Sequence, residues 1–189
     1  MNIKKFAIII IIVITAYFFF INNVFRGNSV RQPADDSRGF ASNNMKISSS
    51  AFQNNSYIPS LYTCDGSDIN PPLAFNDVPA ETKSLVLIMD DPDAPMGVWD
   101  HWIVFNIPPV VKEIKEGNES MGVKGMTSFK KINYGGPCPP DREHRYFFKL
   151  YALDAILDLS EGSTKKEVEA TMQGHILAEA ELIGKYNRK

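Results

Sequence analysis

The 189-residue sequence predicts a mainly β domain, and three observations carry that prediction. Apolar runs of strand length recur at residues 85–89, 103–107 and 147–153. Proline, glycine and asparagine turn signals separate the apolar runs at short intervals, a spacing that favours strands over helices. Only residues 164–167 carry a complete helix-start signature.

Taken in order, Ile58-Pro59 and Asp65-Gly66 bracket Leu61-Tyr62-Thr63, and further loops fall at residues 70–73 and 76–79. There proline removes ladder donors and restricts the residue before it. Leu85-Val86-Leu87-Ile88-Met89 is apolar on both faces, the pattern of a central strand covered on both sides. Trp99-Asp100-His101-Trp102 opens the next strand. Strict alternation would put His101, Ile103 and Phe105 on one face, opposite Trp102 and Val104. In the strand over residues 144–153 the same rule groups His144, Tyr146 and Phe148 against Arg145, Phe147 and Lys149. Thr164-Lys165-Lys166-Glu167 is a capping box; the helix then buries Val168 and Met172 and stops at Gly174. Alternation in Ala178-Glu179-Ala180-Glu181-Leu182 favours a terminal strand, against a helix through Tyr186 built from good helix formers.

Composition narrows the function. A formal net charge of -2, with no basic stripe beyond the first residues, gives nucleic-acid binding little electrostatic support. Residues 6–21 carry no charge and follow Lys4-Lys5, as in a short membrane span with its N-terminus in the cytoplasm. The run exits through Tyr17-Phe18-Phe19-Phe20-Ile21, too bulky for signal cleavage. Residues 1–25 therefore read as an uncleaved anchor, with a secreted form after cleavage as the alternative. Residues 26–44 are polar and rich in turn formers and read as a tether. The folded domain is expected over residues 45–189, on the extracytoplasmic side. Cys64 and Cys138 are the two cysteines. In an oxidising space a single disulfide and a pair of free thiols are both open readings. No CxxC or CxxH pairing points to zinc, and no cofactor is indicated.

Each long apolar run meets polar chemistry at one end. Residues 85–89 run into Asp90-Asp91-Pro92-Asp93-Ala94-Pro95, His101 lies between Trp99 and Trp102, and Gly135-Gly136-Pro137-Cys138-Pro139-Pro140 precedes His144-Arg145-Tyr146. A carboxylate ending a buried strand needs a partner. For Asp93 a simple turn role is the better reading, for Asp91 less so. Together Asp91, His101 and His144 suggest a pocket in which two imidazoles donate to anionic oxygens while the carboxylate orients a ring or receives a cation.

These motifs, in this order, resemble the phosphatidylethanolamine-binding proteins, and most closely their bacterial and archaeal Raf-kinase-inhibitor-like (YbhB/YbcL) branch. The likeness runs from about Met45 to the C-terminus. It implies a large antiparallel sheet packed with a smaller sheet, few short helices, and a preformed pocket for phosphate or phosphorylated headgroups. Carried over by motif, the ligand-binding residues would be Asp91, Ala94, Pro95, Trp99, His101, Gly136, Pro139, His144 and Tyr146. It also brings the loops of Cys64 and Cys138 to the pocket rim, within bridging distance. Two departures stand out. Only Met96-Gly97-Val98 joins Pro95 to Trp99, and Asp141-Arg142-Glu143 stands before His144 where many relatives have a glycine. An acidic pair at that rim would alter which anion is accepted.

The leading expectation is thus a membrane-tethered, non-catalytic binding protein for a small phosphorylated or anionic ligand. Its rival is a hydrolase using Asp91 and a histidine for acid–base chemistry, with Cys138 as a nucleophile. A metal site from His101, His144 and Asp91 ranks below both, since the three come from separate segments. Inhibition of a protease or kinase by protein contact is neither supported nor excluded.

Overall fold

The computed structural model describes residues 44–119 and 121–188. The proposed anchor over residues 1–25, and all but the last residue of the tether, lie outside them. Among the described residues no helix is long and apolar enough to cross a membrane. In chain order the strands are β1 (Lys46–Ser48), β2 (Ser56–Tyr57), β3 (Leu73–Asn76), β4 (Ser84–Asp91), β5 (Trp99–Ile107), β6 (Glu113–Ile114), β7 (Val123–Lys124), β8 (His144–Leu153) and β9 (Ile176–Tyr186). The α-helix, α1, spans Lys165–Met172.

Two sheets form. The smaller has the order β1-β3-β6, and the larger β2-β9-β8-β4-β5-β7. All pairings in both are antiparallel except that of β2 with β9, which is parallel. The large sheet is therefore not wholly antiparallel. The short β2 joins its edge alongside Gly184 and Lys185.

β4 lies at the centre of three layers, which explains its unbroken apolar run. Leu85, Leu87 and Met89 face the small sheet and join Ile47, Leu73, Phe75 and Ile114 in one core. Val86 and Ile88 face the other way, onto Val168 and Met172 of α1. Burying one such aliphatic side chain is worth about 1.5–3 kcal/mol, so a polar substitution on either face of β4 is costly. The helix begins as its capping box requires: the Thr164 hydroxyl accepts from the Glu167 N–H, and the Glu167 carboxylate accepts from the Thr164 N–H. Gly174, at φ 80°, takes the left-handed conformation just past its end. Residues 178–182 are strand, within β9. Their alternation prevails over helix propensity because β9 pairs with β8 along its length.

Strand alternation fails at one place that matters. Met89 pairs with Trp102, but Asp90 pairs with Asp100, so His101 is an extra residue in β5. Such a bulge lets consecutive side chains share a face and bends the strand. Ile103 and Phe105 lie in the core under α1, as Trp102 and Val104 lie in the core on the other side. His101 does not follow Ile103 and Phe105 as strict alternation predicted. Its ring packs edge-on against Tyr146, at 5.2 Å between centroids. A second irregularity between Leu85 and Leu87 falls beside Asn106, whose φ is 55°; its side chain bonds both the N–H and the C=O of Leu157.

Candidate functional site

β4 ends at Asp91, β5 opens on Trp99 and β8 opens on His144, and antiparallel pairing gathers these termini. Asp91 lies opposite Trp99, and Asp90 opposite Phe147. Above them a cavity of about 320 Å³ opens, lined by Asp91, Ala94, Pro95, Met96, Trp99, His101, Phe129, Cys138, Pro139, Pro140, His144 and Tyr146. All of the sequence-derived pocket residues line it except Gly136. The Gly136 N–H donates to Asp68, and an added Cβ would lie 2.6 Å from the Tyr62 carbonyl oxygen. Its contribution is close backbone packing behind the wall.

Strand alternation separates the neighbouring carboxylates of β4. Asp90 faces the helix side, clamped by Lys149 at 2.9 Å and by Lys165 of α1. Asp91 faces the cavity. One of its oxygens accepts the Asp93 N–H at 2.8 Å, closing the turn over Pro92, and the other meets His144 Nδ1 at 2.7 Å. Asp93 does more than cap a turn. It receives Arg145 through Nε and a terminal nitrogen, both at 2.8 Å, as well as the Arg145 N–H. The Arg145 bond holds the Asp93 carboxyl at about 2, well below its usual range.

Neither imidazole presents a free donor to the cavity, contrary to expectation. His144 is fully buried. Its Nδ1 faces Asp91, and its Nε2 lies 2.9 Å from an Asp141 oxygen. Neither ring nitrogen is therefore open to the cavity while both carboxylates are in place. His101 Nδ1 lies 2.6 Å from the Gly135 carbonyl oxygen, which only accepts, so that nitrogen carries the proton. Burial pushes the His101 ring below its ordinary pKa, against the Gly135 bond and the charge of Asp91. Its neutral form therefore offers Nε2 as an acceptor.

Tyr146 is fully buried against the cavity, and its hydroxyl has no hydrogen-bond partner of ordinary geometry. Burial first, then the nearby charge of Asp91, raise its pKa, so the hydroxyl keeps its proton as a potential donor. Trp99 and Phe129 stack edge to face at 5.5 Å, and Phe129 packs edge-on against His101 at 5.2 Å. Cys64 and Cys138 are bridged, with Cα atoms 5.5 Å apart, and the bridge pins the loop carrying Pro139 and Pro140.

Met96, Phe129 and Pro140 were missed as site residues. Met96 reaches the rim on a turn whose tip, Gly97, has φ 98°. Phe129 sits in a polar segment with no signal of its own. Asp141 was legible only as part of an acidic pair, and the structure splits that pair. Asp141 faces His144, whereas Glu143 turns away to Tyr57 and Lys185.

Residues 48–187 match the family model for phosphatidylethanolamine-binding protein. A UPF0098 protein of Methanothermobacter thermautotrophicus is 50% identical over 150 residues, which span 76% of this chain and 99% of that protein. Among solved structures, a phosphatidylethanolamine-binding protein homologue from Chlamydia trachomatis is 48% identical with a TM-score of 0.76, covering 78% of this chain and 100% of that one. Escherichia coli YbcL, described as a member of the mammalian family, is 28% identical with a TM-score of 0.72, over 77% of this chain and 99% of its own.

Proposed function

The chain belongs to the phosphatidylethanolamine-binding protein family, and on that premise we propose that its pocket binds a small phosphorylated or otherwise anionic ligand without transforming it. The observation that carries this reading is the Tyr146 hydroxyl, buried at the cavity beside Asp91 and the Cys138 backbone but without a hydrogen bond of ordinary geometry to either. Leaving such a group unsatisfied costs about 1–3 kcal/mol, and an anionic oxygen in the cavity would offset that cost. His144 at the base of the cavity carries a ring nitrogen, Nε2, held by the half-exposed carboxylate of Asp141, a contact that a ligand oxygen would take over. The hydrolase alternative loses its nucleophile, because Cys138 is held in the disulfide. His144 is not free to serve as its base, since both of its ring nitrogens are bonded to carboxylates.

The domain is further proposed to work at the extracytoplasmic face of the cytoplasmic membrane, held there by residues 1–25 through the tether. The support is the charge-free run 6–21 behind Lys4-Lys5.

Titration of the full chain in detergent with phosphate, phosphoethanolamine and nucleotides, followed by NMR, tests the binding reading. Shifts centred on His101, His144 and Tyr146 are expected. Turnover of p-nitrophenyl phosphate that disappears in His144→Ala would overturn it in favour of a hydrolase.

A further inference from the structure

We propose that Asp141 is the selectivity residue of this pocket: its carboxylate occupies the outward ring nitrogen of His144, so a ligand oxygen reaches that nitrogen only by displacing Asp141, and singly charged ligands are accepted over doubly charged ones. The inference rests on the anion-binding reading above.

The two carboxylates on His144 are not equivalent. The Asp91 side chain is 4% exposed and also holds the Asp93 N–H, so it is part of the floor. The Asp141 side chain is 46% exposed. Its other partner is Arg142, its neighbour in sequence, at 2.7 Å, and the Arg142 side chain is itself 62% exposed. Separating a buried carboxylate from its ring partner is expensive, whereas an exposed one retreats into water at little cost. Asp141 is therefore the displaceable member, and the oxygen it removes from His144 Nε2 is the one a ligand would replace.

Displacement does not remove the charge. Tethered beside Pro140, the displaced carboxylate stays near the vacated position. At a separation of about 6 Å and an effective dielectric of about 40, each unit of ligand charge is disfavoured about tenfold. The exposed Arg142 paired with Asp141 screens this only in part. Asp93 is already neutralised by Arg145, and Asp91 adds a second negative charge against the one ring of His144. Arg142 donates its remaining bond to the Asp93 carbonyl oxygen at 3.2 Å, which directs it along the rim.

Methyl sulfate and methyl phosphate have the same shape but carry one and about two negative charges at pH 8. Calorimetric titration of the full chain in detergent should show methyl sulfate binding at least tenfold tighter. In Asp141→Asn and Asp141→Ser, methyl phosphate should gain about a hundredfold and methyl sulfate about tenfold, so that the preference closes. Without any ligand, the His144 ring nitrogen signals should move in Asp141→Ser while the rest of the amide spectrum holds. Binding with an unchanged preference in both variants overturns the role of Asp141 alone, as does an unmoved His144 ring. Failure of the wild type and both variants to bind either anion overturns the anion-binding reading, and the selectivity role with it.

Discussion

Reduction of the Cys64–Cys138 bridge should destabilise the domain without dismantling its pocket. The cysteines are 74 residues apart in sequence. In the chain-entropy account, releasing a loop of that length returns about 4.4 kcal/mol of freedom to the unfolded chain. For a domain of about 150 residues each kcal/mol moves the thermal midpoint by roughly 2–4 °C, so a fall of about 10–15 °C is expected. The folded state loses little else. The Cys64 N–H still donates to the Pro137 carbonyl, Tyr134 to the Tyr62 carbonyl, and Gly136 to Asp68, all of which hold the same loops together. Differential scanning calorimetry of Cys64→Ser/Cys138→Ser against wild type, with and without reductant, measures the shift. The double variant should not respond to reductant, and its amide spectrum should change only near the two sites. A wild-type midpoint that moves by less than about 2 °C on full reduction would refute the loop-entropy argument. Collapse of the pocket resonances at temperatures well below the transition would show that the bridge, not the hydrogen bonds, holds the rim.

Arg145→Ala should cost about 1 kcal/mol of stability, because the lost pair is half open to solvent and screened. The Asp93 pKa is depressed from 3.8 to about 2. Its contribution is thus complete above pH 3.8 and lost as the pH falls towards 2, and acid titration of wild type and variant should converge there. His101 is depressed below 6.5 by burial, so the stability tied to its neutral ring is present above pH 6.5 and lost below it. A bound anion favours the charged ring, and methyl sulfate should therefore raise the melting midpoint more at pH 5.5 than at pH 7.5; an equal or smaller effect at pH 5.5 would remove His101 from the anion site. His144→Ala should weaken anion binding at least tenfold, whereas Arg145→Ala, on the far face of β8, should change it less than threefold; equal losses in folded proteins would contradict the face assignment. The full chain should pellet with membranes, with its domain open to protease from the extracytoplasmic side. Recovery of a soluble form beginning near residues 23–28 would show a cleaved signal instead.

Local pattern carried much of this molecule. The two-sided apolar run of β4 requires cover on both faces, and the small sheet and α1 supply it. Period-two alternation in β8 put His144 and Tyr146 on the cavity side and Arg145 away from it, because no bulge interrupts that strand before its last residues. The capping box started α1 where Thr164 and Glu167 satisfy each other, an interaction spanning only three residues. The order of the Asp-Pro-Asp-Ala-Pro, Trp-x-His-Trp, Gly-Gly-Pro-Cys-Pro-Pro and His-Arg-Tyr motifs was enough to indicate the family. What the sequence could not decide were effects of pairing between distant segments. The extra residue at His101 is visible only once β5 is laid against β4, and it reverses the face that alternation assigns to that ring. Asp141 and Glu143 look alike in sequence, yet the chain direction entering β8 aims one at His144 and the other at Lys185. The Cys64–Cys138 pairing likewise depended on two loops 74 residues apart meeting at one rim. Short-range periodicity and capping act within a few residues and can be read directly, whereas register, bulges and the choice of a hydrogen-bond partner are settled only when the sheets close.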